Sequence, residues 1–375
     1  MFSRLHASLL RQRISLYEKG FFKSFSLGAF VVGVGNLTVG GTGKTPIVAL
    51  AAEILADAGE KVCVISRGYK RENAKTQVVV SDGEKILANV RQAGDEPLEL
   101  ARKLLGKAVV ISDANRVRAA KRARETLGAT AFVLDDAFQH LRARRNANIA
   151  VIDATNPFGN GRLLPFGILR EPLDGLKRAD AVIITRSDLV EKVETIENLR
   201  AEIRRHNRAC PIFVSTNRIS NLIETANFFE KNDCAANYKA SVEERETNGS
   251  NSEYSKSVAG NPKSKFLAFC GLGNPRGFFE QLRRENFDLA ATESFPDHYF
   301  YRQSDVEKLE ETARKKGVNA LLTTAKDAVK FTDLKFKLPC LVAESKIVFA
   351  GGNDFRGWLL ARLGEARGVF EMRRF

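Results

Sequence analysis

The sequence lacks the cysteine and histidine patterns that usually mark a zinc site or a disulfide framework. Its 375 residues include only four histidines, and no two cysteines form a C-x-x-C pair. Several cysteines stand inside apolar runs, which is typical of buried, reduced thiols in a cytosolic protein. The scattered cysteines are Cys63, Cys210, Cys234, Cys270 and Cys340.

Long apolar runs are also missing. No segment approaches the roughly 18 apolar residues of a membrane-spanning helix, and no cleavable secretory signal is predicted. The first 28 residues instead predict a basic amphipathic helix, followed by aromatic residues at positions 21–25. Such a segment suits either a bilayer interface or packing on the protein's own core, and both interpretations stay open. The apolar arc of the helix comprises Leu5, Leu9, Leu10, Ile14, Leu16 and Tyr17.

Positive charge is in excess, since 59 lysines and arginines face 45 acidic residues and the formal net charge is +14. This balance favours an anionic partner: nucleic acid, an anionic bilayer or a phosphorylated substrate. No helix-turn-helix, zinc or RNP-type aromatic pattern accompanies the charge, so no nucleic-acid partner is expected. A non-enzymatic basic protein remains an alternative.

Short apolar strands alternate with helical patterns through the first half of the chain. For example, predicted strands at residues 29–34 and 61–66 flank a predicted helix at residues 44–58. This alternation predicts an α/β fold with a mainly parallel sheet and helices on both faces. The other predicted strands of this half are residues 77–81, 108–111, 130–134, 149–152 and 181–185, with helices at 96–105 and 115–127.

Residues 231–265 break this pattern with a polar stretch that is almost free of large apolar side chains. After it the α/β character resumes, with strands at 266–270, 320–324 and 340–343 and helices at 303–316 and 354–363. We therefore predict an interface helix (1–28), a P-loop core (29–230), a flexible linker (231–265) and a smaller C-terminal α/β domain (266–375).

The most informative stretch is Thr38-Val39-Gly40-Gly41-Thr42-Gly43-Lys44-Thr45, which lies between a predicted strand and a predicted helix. In a P-loop the glycines let backbone amides turn toward phosphates, the lysine reaches the terminal phosphates, and the Ser/Thr hydroxyl binds Mg²⁺. One position departs from the usual G-x-x-x-x-G-K-[ST] pattern, because Thr38 stands where the first glycine is expected. The segment predicts binding of ATP with Mg²⁺.

A second strand, at residues 131–134, delivers the paired carboxylates Asp135 and Asp136 at its carboxyl end, where ligands bind in such sheets. One of them is expected to bind Mg²⁺ or its water together with Thr45, and Gln139 is a further candidate ligand. Adjacent residues point to opposite sides of a strand, so the choice between the two aspartates stays open.

Several segments in order along the chain resemble the tetraacyldisaccharide 4′-kinases of lipid A biosynthesis. The resemblance implies a P-loop kinase that phosphorylates the 4′-hydroxyl of a tetraacylated glucosamine disaccharide 1-phosphate, with the reactants in a cleft between two domains. It runs from near the N-terminus to about residue 330. The matching segments are residues 35–46, 66–69, 94–97, 114–116, 134–140, 169–172, 271–275 and 295–299.

The resemblance also implies roles for single residues. Asp95 is expected to be the general base for the acceptor and His298 its partner, while Lys44 neutralises charge that develops on the transferred phosphate. Planar guanidinium groups suit bidentate contacts to phosphates of ATP or of the acceptor. The expected substrate-binding residues are Arg67, Tyr69, Glu96, Asn115, Arg116 and Arg170. Residues 324–328 depart from the family pattern, since Ala325 stands where a glutamate is usual.

Members of this family act at the inner membrane, so the expected setting is the cytoplasmic face of that membrane in a Gram-negative bacterium. The implied partners are the acylated lipid substrate and the anionic membrane surface, and a monomer is expected. A nucleotide switch such as a GTPase or metallochaperone remains the alternative. Its only support is Thr185-Arg186-Ser187-Asp188, a weak counterpart of the guanine-reading N/T-K-x-D segment.

Overall fold

The computed structural model describes residues 2–228, 264–351 and 354–372. Within these ranges the strands are β1 (Phe30–Gly35), β2 (Val62–Ser66), β3 (Val78–Ser81), β4 (Ala108–Ser112), β5 (Ala131–Leu134), β6 (Ala147–Asp153), β7 (Ala181–Thr185), β8 (Ile212–Glu224), β9 (Lys265–Cys270), β10 (Asp288–Ser294), β11 (Ala320–Thr324) and β12 (Cys340–Phe349). The α-helices are α1 (Phe2–Glu18), α2 (Lys44–Asp57), α3 (Val90–Ala93), α4 (Asp95–Lys103), α5 (Arg116–Leu127), α6 (Val193–His206), α7 (Pro275–Arg284), α8 (Gln303–Lys315), α9 (Ala325–Ala328) and α10 (Phe355–Met372). Short 3₁₀ helices cover Leu173–Arg178 and Ser187–Leu189.

All of these strands join one twelve-stranded sheet in the order β10-β9-β11-β12-β8-β7-β6-β1-β5-β2-β4-β3. Neighbouring strands run parallel except in the pairs β3–β4 and β8–β12, which are antiparallel. A mainly parallel sheet needs cover on both faces, because its strands are apolar on both sides. The predicted fold class is therefore confirmed in its main feature.

The centre of the sheet shows why these sequences form buried strands. In β1, Val32 and Val34 pack into the cluster that contains Ile47 of α2, whereas Val31 packs into the opposite cluster with Ala119 of α5. Alternate residues of a strand point to opposite faces, so an unbroken apolar run is covered by a helix on each side.

Two strands were not predicted. Strand β8 is long, but its second half is polar around residues 215–220, and β10 is mostly half-buried. Strand β8 pairs with β7 through its apolar residues 212–214 and with β12 from residue 215 onward, so ladder hydrogen bonds with β12 hold the polar stretch. Strand β12 likewise extends to Phe349, beyond the predicted end at residue 343.

The last helix returns to the first half of the chain. Phe355 of α10 is fully buried, and its ring lies 5.4 Å from that of Phe213 in β8. The centroid of the Trp358 ring system lies 5.9 Å from that of Phe213. Helix α10 therefore joins a core shared by residues from both ends of the sequence.

The predicted linker lies almost wholly outside the described residues, and the division into domains stays a prediction. Residues 2–18 form the expected N-terminal helix, whereas its contact with a bilayer also stays a prediction. Among the described residues, none of the helices combines the length and apolar character that crossing a bilayer requires.

Replacing Phe355 with alanine should lower the free energy of unfolding by about 3–5 kcal/mol, because a large cavity forms where no side chain can fill it. Urea denaturation followed by circular dichroism measures the change. The control is Val193→Ala, since Val193 is 79% exposed and should shift stability by less than about 0.5 kcal/mol. Equal, small effects in both variants would contradict the role assigned to α10.

Candidate active site

A large cavity opens at the carboxyl edge of the sheet, between the first half of the chain and residues 264–351. Its volume is about 1260 Å³. One wall carries residues 39–45, which follow β1, and the opposite wall carries His298 and Lys326. Ligands bind at this edge in parallel α/β sheets because the loops after the strands converge there.

The phosphate loop has the backbone conformation that its glycines allow. Gly40 and Gly43 have φ angles of 104° and 78°, which residues with a Cβ rarely adopt. Helix α2 begins at Lys44, so its N-terminal amides point toward the cavity. Thr38 is buried and forms an antiparallel bridge with Leu169 rather than adopting a positive φ. A threonine is therefore tolerated at the position where the usual pattern has glycine.

The loop is held by the end of β7. The hydroxyl of Thr185 donates to the carbonyl of Thr42 at 2.9 Å, and the Arg186 guanidinium donates to the carbonyl of Gly41 at 2.7 Å. Arg186 also forms an ion pair with the buried carboxylate of Asp153. The segment that weakly resembles a guanine-reading motif thus supports the phosphate loop.

Lys44 and Arg170 converge on Asp136. The Arg170 guanidinium donates to both carboxylate oxygens of Asp136, at 2.7 and 2.8 Å, and the Lys44 ammonium lies 3.6 Å from one of them. Burial alone would raise the pKa of Asp136, but Lys44 and Arg170 outweigh burial and lower it. Asp136 is therefore an ionised carboxylate at the cavity wall.

Asp135 has a different environment. It is 3% exposed, and its carboxylate accepts a hydrogen bond of 2.7 Å from Ser66. Burial, together with the negative charges of Glu96 and Asp136, raises the pKa of Asp135 to about 6. Below about pH 6 the two adjacent aspartates consequently differ, since Asp135 is mostly protonated and Asp136 is ionised.

The predicted metal ligands lie together. Thr45, Asp135, Asp136 and Gln139 all line the cavity, and each offers an oxygen donor of the kind that Mg²⁺ prefers. The Gln139 amide nitrogen donates to the backbone carbonyl of Asn36 at 2.8 Å and to the Glu171 carboxylate at 2.7 Å, which fixes its orientation. No cluster of three His, Cys, Asp or Glu side chains able to hold a metal occurs in the described ranges. The residues therefore suit an ion whose remaining ligands are phosphates and water.

The structure brings Asp95 and His298 together, although they are 203 residues apart. The His298 Nδ1 atom lies 2.9 and 2.8 Å from the two oxygens of Asp95. Asp95 is 5% exposed and starts helix α4, whereas His298 lines the cavity. The imidazole thus stands between the buried carboxylate and the cavity.

The position of His298 depends on a strained turn. Its φ is 61°, an uncommon left-handed value for a residue with a side chain, and the amide of Tyr299 donates to the carbonyl of Pro296. A non-glycine residue in this region costs about 1–3 kcal/mol and persists only where other contacts compensate. The hydrogen bonds with Asp95 are such contacts.

Sequence analysis missed two lysines in the surroundings of Asp95. Lys326 lies 3.3 Å from Glu96 and 3.2 Å from Asp297, and Lys330 lies 3.9 Å from Asp95. Burial raises the pKa of Asp95, but the hydrogen bond with His298 and the charges of Lys326, His298 and Lys330 reverse this and lower it. Lys326 lies in the segment 324–328, which the sequence marked only for its unusual alanine, and Lys330 lies two residues beyond it.

The other predicted substrate residues separate into two groups. Arg67, Tyr69 and Glu96 line the cavity, and the Tyr69 ring lies 5.2 Å from that of His298. Arg116 also reaches the cavity, but its guanidinium donates to three backbone carbonyls, including that of Asp135 at 3.0 Å. Asn115 is not among the lining residues, and its side chain caps helix α5 by accepting from the Arg118 amide at 3.2 Å.

Comparisons of sequence point to one family. The family described as tetraacyldisaccharide-1-P 4′-kinase matches residues 1–364. A protein named tetraacyldisaccharide 4′-kinase from Geobacter metallireducens is 38% identical over 338 residues, which cover 90% of this chain and 89% of that protein. A protein of the same name from Desulfotalea psychrophila is 36% identical and covers 94% of this chain and 92% of its own length.

Comparison of structures agrees. LpxK from Aquifex aeolicus, described as an "apo" form solved in complex with ATP, superposes with a TM-score of 0.70. The match has 29% sequence identity and covers 96% of this chain and 97% of that one. The similarity thus extends over both sides of the cavity.

The raised pKa of Asp135 predicts how stability depends on pH. Between the unfolded value of 3.8 and about 6, the folded protein binds a proton that the unfolded chain releases, so its stability falls as pH rises. Asp135→Asn removes this dependence. In metal-free buffer the variant should gain up to about 3 kcal/mol relative to the original protein between about pH 4 and pH 7.

Urea titrations at several pH values with EDTA present measure this difference. The matched control is Asp333→Asn, at an exposed aspartate, which should leave the profile unchanged. Parallel pH profiles for Asp135→Asn and the original protein would show that this carboxyl titrates normally.

Proposed function

The chain belongs to the tetraacyldisaccharide-1-P 4′-kinase family, and we propose that it moves the γ-phosphate of ATP to the 4′-hydroxyl of a tetraacylated glucosamine disaccharide 1-phosphate, a step of lipid A biosynthesis. The observation that carries the proposal is the shared cavity. A phosphate loop lines one wall, and His298, backed by Asp95, lines the other. A nucleotide and an alcohol can therefore meet there.

On the nucleotide side, positioning and charge neutralisation are the main tasks, because phosphoryl transfer passes through a loose transition state. The amides of residues 40–45 and the start of α2 bind the phosphates, and Lys44 neutralises charge on the transferred group. Its present partners, Asn36 at 3.1 Å and Asp136 at 3.6 Å, hold the ammonium at the cavity. Mg²⁺, when bound by Thr45, Asp135 or Asp136, and Gln139, supplies further positive charge to the phosphates.

On the acceptor side, the pair Asp95–His298 takes the proton of the attacking hydroxyl. Asp95 stays ionised because nearby positive charges lower its pKa, and a carboxylate in contact with an imidazole can orient the ring and share its proton. Since His298 stands between Asp95 and the cavity, its imidazole ring is the part of the pair that meets the proton of the hydroxyl.

Acceptor binding is assigned to the remaining side chains around the cavity. Tyr69 offers an exposed ring beside His298 that suits a sugar face, and Arg67 has no hydrogen bond or ion pair within the described residues. Arg170 can contact a phosphate as it now contacts Asp136. Lys326 fixes Glu96 at 3.3 Å, so its carboxylate can accept from a sugar hydroxyl. Asn115, which caps helix α5, and Arg116, which donates to the Asp135 carbonyl, stabilise the cavity wall.

Helix α1 and the residues after it suit a membrane surface. The helix contacts the rest of the chain through Ala7 and through an ion pair of 2.9 Å between Arg11 and Asp174. Phe21 and Phe22 remain 75% and 45% exposed. Aromatic side chains beside basic residues are typical of segments that lie in the bilayer interface. The helix thus packs on the core, and the phenylalanines after it stay exposed, where they can contact lipid.

We place the enzyme at the cytoplasmic face of the inner membrane of a Gram-negative bacterium, where an acylated substrate and ATP are both accessible. A monomer suffices, because the proposed phosphate loop, metal ligands and proton acceptor all come from one chain.

Replacing Asp95 with asparagine should lower kcat by about 10²–10⁴-fold, the usual contribution of a general base. The KM for ATP should change little, because Asp95 does not line the cavity. Transfer of ³²P from ATP to the purified lipid acceptor, separated by thin-layer chromatography, measures kcat. Thermal unfolding confirms that the variant is folded, and Asp333→Asn is the control. Near-normal transfer by folded Asp95→Asn would exclude the proposed base.

Replacing Phe21 and Phe22 together with serine should weaken binding to vesicles of anionic phospholipid at least tenfold, because two exposed aromatic side chains no longer enter the interface. Vesicle co-sedimentation measures binding, and ATP affinity should be unchanged. Val193→Ser removes an equally exposed apolar side chain from helix α6 and serves as the control. Unchanged vesicle binding in the double variant would show that these residues do not contact the membrane.

A further inference from the structure

Lys330 is a buried cation that cannot touch either reactant. Its side chain is 0% exposed, and it is not among the residues that line the cavity. It follows helix α9 in the second half of the chain, whereas Asp95 starts α4 in the first half. Any effect of Lys330 on the reaction must therefore pass through another residue.

The ammonium of Lys330 is held in a fixed place. It lies 2.9 Å from Asp327, whose other contacts are hydrogen bonds from the Thr324 hydroxyl at 2.7 Å, the Tyr301 hydroxyl at 3.0 Å and the Gly271 amide at 3.1 Å. Asp327 is fully buried. These hydrogen bonds fix the Asp327 carboxylate, which in turn fixes the position of the Lys330 ammonium.

From this place the ammonium also faces Asp95, at 3.9 Å from Oδ2, while His298 contacts the same oxygen at 2.8 Å. Asp95 therefore receives one cationic neighbour and one imidazole from the second half of the chain. Charges buried in a protein interact more strongly than charges in water, so a cation at this distance favours the ionised carboxylate.

We propose that Lys330 is a positioning residue of the phosphoryl transfer: from the second half of the chain it keeps the buried Asp95 ionised and aimed at His298. The inference rests on the proposed function, in which Asp95 acts as the base. Burial alone would raise the pKa of Asp95, so the half of the chain that covers this carboxylate also supplies a cation that keeps it ionised.

Lys326 also lowers the pKa of Asp95, but it acts from outside ion-pair distance. Lys326 contacts Glu96 and Asp297 rather than Asp95, and Asp297 also lies 3.6 Å from the Nε2 atom of His298. Glu99, on the same helix as Asp95, has a pKa raised by burial to about 7, so it adds negative charge only above that pH. Lys330 is the cation that contacts the Asp95 carboxylate within ion-pair distance among the described residues.

The test is the dependence of kcat on pH for Lys330→Met. Without the ammonium the pKa of Asp95 should rise, so the acid limb of the profile should move to higher pH by about one unit. At a pH below the midpoint of the acid limb, kcat of the variant should be about tenfold lower than that of the original protein, and the two should become equal in alkaline buffer. The KM for ATP should stay within about twofold, because Lys330 does not reach the cavity.

Lys330→Met leaves Asp327 buried without its cation, which can unfold the protein. The double variant Asp327→Asn/Lys330→Met removes both charges and keeps an amide for the remaining hydrogen bonds. It should show the same displaced acid limb. Lys315→Met, at an exposed lysine of α8 paired with Glu311, is the control and should keep the original profile.

A folded variant without Lys330 that keeps the original acid limb overturns the proposal. A measurement without turnover separates this outcome from failure of the proposed function. Carboxyl ¹³C NMR follows the titration of Asp95, assigned by the signal that Asp95→Asn removes. If the original protein transfers no phosphate, the kinase proposal fails, whereas an Asp95 titration that moves upward in the double variant still supports the role of Lys330. An unmoved titration rejects that role.

Discussion

The contact between Asp95 and His298 is the constraint on which the rest of the site depends. A carboxylate that is 5% exposed needs partners that stabilise its charge, and its principal partner comes from a residue 203 positions away. The first half of the chain alone leaves this carboxylate without the imidazole and without the lysines of the second half. Residues from both halves of the chain are therefore needed to complete the base.

The phosphate loop also contacts the second half of the chain. Gly273, in the second half, approaches Gly41 so closely that an added Cβ would lie 2.9 Å from the Gly41 amide nitrogen. The requirement for glycine there follows from backbone packing against backbone. Arg186 supports the loop from the other side by donating to the Gly41 carbonyl. The nucleotide wall thus touches the second half of the chain at Gly41 and Gly273, where backbone packs on backbone.

The excess of positive charge has an explanation in the proposed reaction. ATP and a phosphorylated acceptor both bring negative charge into one cavity, while the wall already carries carboxylates that the chemistry needs. Two of these carboxylates are balanced by ion pairs: Asp136 by Lys44 and Arg170, and Glu96 by Lys326. Bound phosphates would compete for the same cations, so Lys44 and Arg170 can move from a protein carboxylate to a substrate without crossing the cavity.

The sequence by itself determined the features that local physics fixes. The apolar runs of β1 and β7 have to be buried on both faces, and the glycines around Lys44 allow a loop that residues with a Cβ cannot form. The resemblance to a known family added Asp95 and His298. Polar strand β8 could not be recognised, because its stability comes from pairing with β12 and not from its own apolar pattern. Only the tertiary structure decided that Lys330 faces Asp95, since a lysine's role depends on which distant charges surround it once the chain is closed.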